Sequence, residues 1–378
     1  MKLLRSESGD NEDVLKISDL KVIFHTYAGD VKALNGVELS VKKSELLGLV
    51  GESGCGKTVT SLSIVGLLPP NAEVVSGEVL LNGTNLLTMT KEEIRKARLK
   101  DVAIVFQDPL TYLNPVLTVG SQITEIVATD TKMFLPRLLE HRLDEIAHVE
   151  SEKGQLDAGL LSEKQRLNSA LETGKLDAKE IKRLTRNYVL SILISVRLPH
   201  PEKALESYPF ELSGGMRQRA MIAMALVRRP KLLLADEMTT ALDVTVQAQI
   251  LQLLKELRNE IDASVVLITH DLAVVAEVCD RVAVMYAGDV VEVADVEELF
   301  RNPLHPYTRG LLASVPRVDS TIDQQSSIGG SVPNLIYPPS GCRFHPRCPK
   351  AFERCPQAKP ELVEVSPRHL VSCFLYGE

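Results

Sequence analysis

Eight consecutive residues, Gly51-Glu52-Ser53-Gly54-Cys55-Gly56-Lys57-Thr58, satisfy the pattern G-x-x-x-x-G-K-[ST] without a mismatch. Glycines let successive backbone N–H groups turn inward around a phosphate, and a helix that follows presents its positive end to the same anion. Lys57 adds a point charge, and the Thr58 hydroxyl can hold magnesium. A Gly-rich turn is the plain alternative for such a match taken alone. The flanks favour the chemical reading, because Leu46-Leu47-Gly48-Leu49-Val50 reads as a buried strand and Val59–Leu68 as a helix. A nucleoside triphosphate with magnesium is the expected ligand.

Two carboxylates are placed to serve that ligand. The run Lys231-Leu232-Leu233-Leu234-Ala235 is apolar and ends in Asp236-Glu237. In an open α/β sheet, ligands sit at the strands' carboxyl ends, so Asp236 emerges where it can hold magnesium through water. Glu237 then faces the terminal phosphate. Phosphoryl transfer asks the protein mainly to position and neutralise, so this carboxylate orients and polarises the attacking water. A solvated acidic pair at a strand end is the alternative. His270 closes another apolar strand, Ser264–Thr269, and there its position carries more weight than its type. Ser213-Gly214-Gly215 precedes a long helical pattern: Ser213 suits an N-cap, and the glycines admit a second anion.

The elements that must position these groups give an α/β reading. Apolar segments at Val102–Phe106, Lys231–Ala235, Val265–Thr269 and Val282–Tyr286 look like a buried parallel sheet. Residues 14 to 50 alternate and turn like antiparallel strands, and Gly77–Asn82 adds another. Between Gln107 and Ser213 the pattern becomes helical.

The phosphate loop, Leu212-Ser213-Gly214-Gly215-Met216-Arg217-Gln218, Lys231 to Glu237, Ala241-Leu242-Asp243 and Leu267-Ile268-Thr269-His270 follow one another in an order that resembles the ATP-binding-cassette (ABC) family across residues 14 to 300. The resemblance implies a P-loop ABC ATPase with a parallel-sheet core, an antiparallel β subdomain and a helical subdomain at about 108–212. It implies catalytic roles for Glu237, for His270 at the γ-phosphate, and for Gln107 after its strand. Nucleotide-binding roles fall on Tyr27, Gly51, Glu52, Ser53, Gly54, Cys55, Gly56, Lys57, Thr58, Asp236, Ser213, Gly214, Gly215, Gln218 and Asp243. Magnesium would be held by Thr58, Gln107 and Asp236. Tyr27 is the weakest member, because an aromatic near a strand end is usually core. In the resembled family the Ser213 segment completes the site of a second cassette. Each motif occurs once here, so two sites need two chains: another copy or a paralogous ATPase, the pairing usual in the branch described next.

Two segments stand outside the common cassette pattern. Residues from about 132 to about 185 form a charged insertion, with Leu135, Leu139, Leu143 and Ile146 at helical spacing. Ile181, Leu184, Tyr188 and Ile192 form a second run, separated from the first by Gly154, Gly159 and Gly174. The expectation is a projecting helical hairpin that touches a membrane subunit or the partner ATPase, against a solvated insertion without a specific role. Beyond about residue 310 comes a second domain, 311–378, with Cys342, Cys348, Cys355 and Cys373 separated by five, six and seventeen residues. A Pro-rich loop with that many cysteines is not explained by core packing, and in a reducing compartment a metal site is the natural account. The spacing is not that of zinc ribbons. His345 could stand in as a ligand, while Cys55 falls at a variable loop position and Cys279 reads as small and buried. Together with Asn302-Pro303-Leu304-His305-Pro306-Tyr307-Thr308, and with Met238 to Asp243 carrying Thr240, the tail resembles the oligopeptide/dipeptide branch of ABC importers. That resemblance includes tails holding a four-iron, four-sulfur (4Fe-4S) cluster; zinc, or cysteines free or paired in disulfides, stay open.

The chain has 378 residues with 43 basic against 50 acidic, net −7, so it carries no basic footprint for nucleic acid. No apolar run approaches a membrane span, and Met1 to Glu7 lacks the core of a signal peptide. The expected place is the cytoplasmic face of the membrane, held there by partners: two transmembrane permease subunits, a second ABC ATPase and an extracytoplasmic solute-binding protein. Peptides are the default cargo of the resembled branch; oligosaccharides and nickel are alternatives. The insertion is too short for the coiled coil of a DNA-repair cassette, and translation factors of the superfamily usually carry two cassettes. A soluble, non-transport ABC ATPase is the remaining alternative class.

Overall fold

The computed structural model describes residues 13–239, 242–314 and 328–377. The Met1 to Glu7 stretch, Thr240 and Ala241 lie outside the described residues. The chain divides into two compact units, one of residues 1–106, 230–240 and 251–378, the other of residues 107–229 and 241–250.

The first unit holds twelve strands among the described residues: β1 (Asp13–Thr26), β2 (Gly29–Lys42), β3 (Leu46–Val50), β4 (Ala72–Leu81), β5 (Thr84–Asn85), β6 (Val102–Val105), β7 (Leu232–Asp236), β8 (Ser264–Thr269), β9 (Arg281–Tyr286), β10 (Asp289–Asp295), β11 (Val363–Ser366) and β12 (His369–Val371). They form an antiparallel sheet of order β2-β1-β4-β5 and a mixed sheet of order β11-β12-β10-β9-β3-β8-β7-β6. In the mixed sheet β9, β3, β8, β7 and β6 run parallel, while β10, β12 and β11 continue it antiparallel. Every residue of β3, β7, β8 and β9 is buried, as the continuous apolar runs require of strands covered on both faces. The stretch 14–50 is therefore split. β1 and β2 pair antiparallel, and β3 leaves them for the centre of the parallel sheet.

The helix after the phosphate loop runs over Lys57–Val65, two residues earlier than its apolar pattern suggests. It stops at Gly66, whose φ of 62° caps its carbonyls in the left-handed conformation.

The second unit is helical, with Val119–Thr129, Thr131–Lys153, Ala158–Thr173, Ala178–Ser195, Pro201–Glu206 and Gly214–Leu226 as its longer helices. The insertion forms three helices where a two-helix hairpin is expected. Gly154 and Gly174 end the first two with φ of 72° and 65°, but Gly159 lies inside the second and separates nothing. Leu135, Leu139, Ile146, Leu184 and Tyr188 are buried; Leu143, Ile181 and Ile192 are half-buried. The Tyr188 hydroxyl donates to the Val227 carbonyl at 3.0 Å. Glu163 of the middle helix takes Arg142 through two bonds of 3.0 Å and Arg183 at 2.7 Å. Arg142 foremost, then Arg183, holds the Glu163 carboxyl down at about 2 against the cost of its burial.

Candidate functional site

The phosphate loop lies between β3 and the helix Lys57–Val65. A Cβ at Gly51 would stand 2.1 Å from the Met285 carbonyl oxygen, and at Gly56 2.7 Å from Leu34, with φ of 156° and 109° at the two positions. These are the places where the loop needs glycine. The Lys57 ammonium is buried and donates to the carbonyls of Gly51 at 2.8 Å and Glu52 at 3.1 Å. Cys55 is buried, its N–H donating to the Glu52 carbonyl and its own carbonyl accepting from Gly288. Ser53, Gly54 and Thr58 face solvent, so the loop's mouth is open.

The two acids emerge at the end of β7 as the strand pattern requires. Asp236 is buried, with the hydroxyls of Thr58 and Ser61 each 3.4 Å from its two oxygens. Burial foremost, and Glu237 beside it, raise its pKa, against the pull of Thr58, Ser61 and Lys57. A buried carboxylate with hydroxyls at long range is suited to a divalent cation, whose charge would relieve the desolvation. Glu237 departs from the strand at φ 46°, its N–H bonded to the Ile268 carbonyl, and its carboxylate lies 3.5 Å from His270 Nδ1. Asp271 caps the helix Leu272–Val278 behind His270. Thr58, Asp236, Glu237 and His270 thus gather with the phosphate loop at the carboxyl ends of β3, β7 and β8. Tyr27 occupies the two-residue turn between β1 and β2 and is fully exposed, not core.

In the second unit Gln107, two residues past the end of β6, is exposed. Ser213 caps Gly214–Leu226 by accepting from Met216 N–H, and a Cβ at Gly215 would press to 2.7 Å on Val246. Asp243 is exposed and caps the next helix through Val246 N–H at 3.0 Å. Gln218 is 1% exposed, its side chain buried one turn into the helix Gly214–Leu226.

A partner of the loop came without a sequence signal. Arg347 reaches Glu52 with a two-pronged contact, Nη1 to Oε2 at 2.8 Å and Nη2 to Oε1 at 3.1 Å, and the Glu52 N–H donates to the Tyr307 hydroxyl at 3.0 Å. Tyr307, Tyr286 and Phe344 form one aromatic cluster with ring centroids 4.6 to 5.4 Å apart. Arg347 lies in one run with Phe344, His345 and Cys348, but no spacing rule ties position 347 to position 52.

Cys342, Cys348, Cys355 and Cys373 line one cavity, walled further by Phe344, Phe374, Pro306 and Pro360. All six cysteines are free thiols. Burial pushes Cys342 up to about 12 and also raises Cys348 and Cys373. His345, which also borders the cavity, turns Nδ1 to the Cys342 carbonyl at 2.9 Å. Among the described residues no three His, Cys, Asp or Glu side chains converge into a set that could hold a metal ion. Cys279 is half-buried against the core, and burial raises its thiol pKa strongly.

Residues 34–240 match the family described as ABC transporter, and residues 291–355 match the one described as oligopeptide/dipeptide transporter, C-terminal region. The dipeptide transport ATP-binding protein DppD of Bacillus subtilis (strain 168) is 44% identical over 97% of this chain and 96% of its own length. The oligopeptide transport ATP-binding protein OppD of Escherichia coli (strain K12) is 41% identical over 96% of this chain and 93% of its own. Among solved structures, cbiO1 from Clostridium perfringens, part of the ABC transporter complex cbiONQ, aligns with a TM-score of 0.56 and 25% identity over 77% of this chain and 92% of that one. The dimeric cassette MJ0796 aligns at 0.55 and 24% identity over 75% and 98%, a likeness of fold.

Proposed function

The chain belongs to the ABC transporter family, in its oligopeptide/dipeptide branch, and from that premise we propose that it is the ATP-hydrolysing subunit of a peptide importer. The observation that supports this best is the meeting of Lys57, Thr58, Asp236 and the Glu237–His270 pair at the carboxyl ends of β3, β7 and β8. The loop's N–H groups and Lys57 bind the phosphates, and Tyr27 offers a free aromatic face to the base. Thr58 and Asp236 would hold magnesium, whose charge would neutralise the phosphate oxygens. Glu237 orients and polarises the attacking water, and His270 fixes the carboxylate's direction. Ser213, Gly214, Gly215 and Asp243 serve the nucleotide of a second cassette, a paralogue by the habit of the branch. Closure of the two cassettes drives two permease subunits, contacted by residues 108–115, and a solute-binding protein on the far side delivers the peptide. The subunit works at the cytoplasmic face; no described helix is long and apolar enough to cross a membrane. The insertion 132–185 contacts a neighbouring subunit.

The decisive variant is Glu237→Gln. It is expected to keep Mg-ATP binding while lowering steady-state phosphate release at least about a hundredfold. Near-normal release would remove Glu237 from its role.

We assign the four-cysteine cavity to a 4Fe-4S cluster that staples residues 328–377, a reading supported by four thiols around one apolar chamber. A cluster takes one thiolate per iron at the corners of a body larger than an ion, which suits thiols that share a cavity without converging on a point. Anaerobically purified protein should carry iron and acid-labile sulfide near four atoms each; a preparation with neither, or with zinc, would overturn the assignment.

A further inference from the structure

Glu52 occupies one of the four unspecified positions of the phosphate loop, where the pattern asks for no acid. A carboxylate there repels a triphosphate bound by the neighbouring N–H groups, and the repulsion is stronger for being partly withdrawn from water. The chain answers with a residue from 295 positions away. Arg347 is almost wholly buried, its side chain 7% exposed, and closes on the carboxylate with both Nη atoms.

The guanidinium is itself fixed before it meets Glu52. Nε donates to the Gly329 carbonyl at 2.8 Å, Nη1 lies 3.3 Å from the Tyr286 hydroxyl, and the guanidinium carbon stands 5.6 Å from the centre of the Tyr286 ring. Glu52 is held on its other sides too. Its N–H donates to Tyr307, and its carbonyl accepts from Lys57 and from the Cys55 N–H. The residue that bears the misplaced charge is thus pinned between the loop lysine and the C-terminal segment.

We propose that Arg347 is a positioning residue of the nucleotide site: it neutralises Glu52 and fixes its carboxylate away from the phosphates, so that the loop accepts a triphosphate. The inference rests on the reading of this loop as the ATP site. A planar fork is needed because it meets both carboxylate oxygens at once, which an ammonium cannot.

Mg-ATP titrations of the full-length protein test this. Wild-type binding is the control; its absence would strike the ATP reading itself. Given that binding, Arg347→Met should raise Kd roughly tenfold, because the carboxylate is left unneutralised. The loss should shrink as salt is added. Glu52→Gln removes the charge that Arg347 answers, so the double variant should return to within about twofold of Glu52→Gln, whatever that single change costs by itself. Arg347→Lys keeps the charge and should fall between wild type and Arg347→Met, so a folding defect in Arg347→Met leaves the idea testable. An unchanged Kd in Arg347→Met, or a double variant as weak as Arg347→Met, overturns the proposal.

Discussion

The phosphate loop and the cysteine cavity are both small sites in the same unit, yet they are assembled in opposite ways. The loop is eight contiguous residues, and its shape follows from glycines that no side chain could replace and from a helix that starts inside it. The cavity collects its four thiols from a span of 32 residues, and little in that span is regular. What gathers them is remote: β12 adds to β10, and His369 of β12 meets Glu292 of β10 in full burial. A contiguous site carries its own geometry, whereas a dispersed one borrows it from the sheet.

The Glu292–His369 pair is therefore the place to break the comparison. His369 Nε2 lies 2.8 Å from the Glu292 carboxylate, which also accepts from the N–H groups of Leu304 and His305 at 2.7 and 2.9 Å. Burial pushes Glu292 up, but His369 and these N–H groups outweigh it and hold the carboxyl low. His369→Ala leaves that charge without its partner and should cost about 3–5 kcal/mol, read from denaturant unfolding. If the borrowed geometry matters to the loop, the same variant also weakens ATP binding through Arg347. Unfolding at the wild-type midpoint would show the C-terminal segment to be an independent attachment.

The same contrast separates what was legible in the chain from what was not. Gly51, Gly56, Lys57, Asp236 and Glu237 were readable because strand, turn and helix signals are local and each residue sits beside the one that positions it. The parallel strands were readable because burial on both faces leaves a continuous apolar run. The burial of Gln218 was not legible, because the helical pattern after Ser213 does not say which of its faces packs inward. Arg347 and Tyr307 were invisible as partners of Glu52, for contacts across 295 and 255 residues obey no spacing. In the insertion the helical periods were present, but the Glu163 ion cluster that binds its middle helix is a tertiary fact.

A smaller effect sharpens the comparison by pH. His305 is fully buried beside the cavity, and burial lowers its pKa to about 4. Its neutral Nδ1 accepts from the Tyr307 N–H at 3.0 Å, a bond that a protonated ring cannot make. The unfolded chain takes up this proton near pH 6.5, so the stabilisation is whole above that value and is lost as pH falls toward 4. Between pH 7 and pH 5 unfolding should become easier by on the order of 2 kcal/mol, and His305→Gln should flatten the dependence over that window. A profile as steep in the variant as in wild type would assign the acid sensitivity elsewhere.

The least destabilising change asks whether the cavity's thiols do more than pack. Cys355 is 8% exposed, and Cys279 is a half-buried thiol packed against the same unit's core. As packing groups the two are alike, so Cys355→Ser and Cys279→Ser should each cost about 1 kcal/mol for a hydroxyl set against apolar surroundings. A cluster ligand behaves differently. Cys355→Ser would then lose bound iron and its visible absorption as well, with a stability loss well beyond that of Cys279→Ser. Because Arg347 immediately precedes Cys348, a loosened cavity would free the guanidinium and raise the Kd for ATP, while Cys279→Ser leaves it unchanged. Equal losses of stability in the two variants, with ATP affinity preserved in both, would mean that the loop needs only the arginine and not what the cysteines hold.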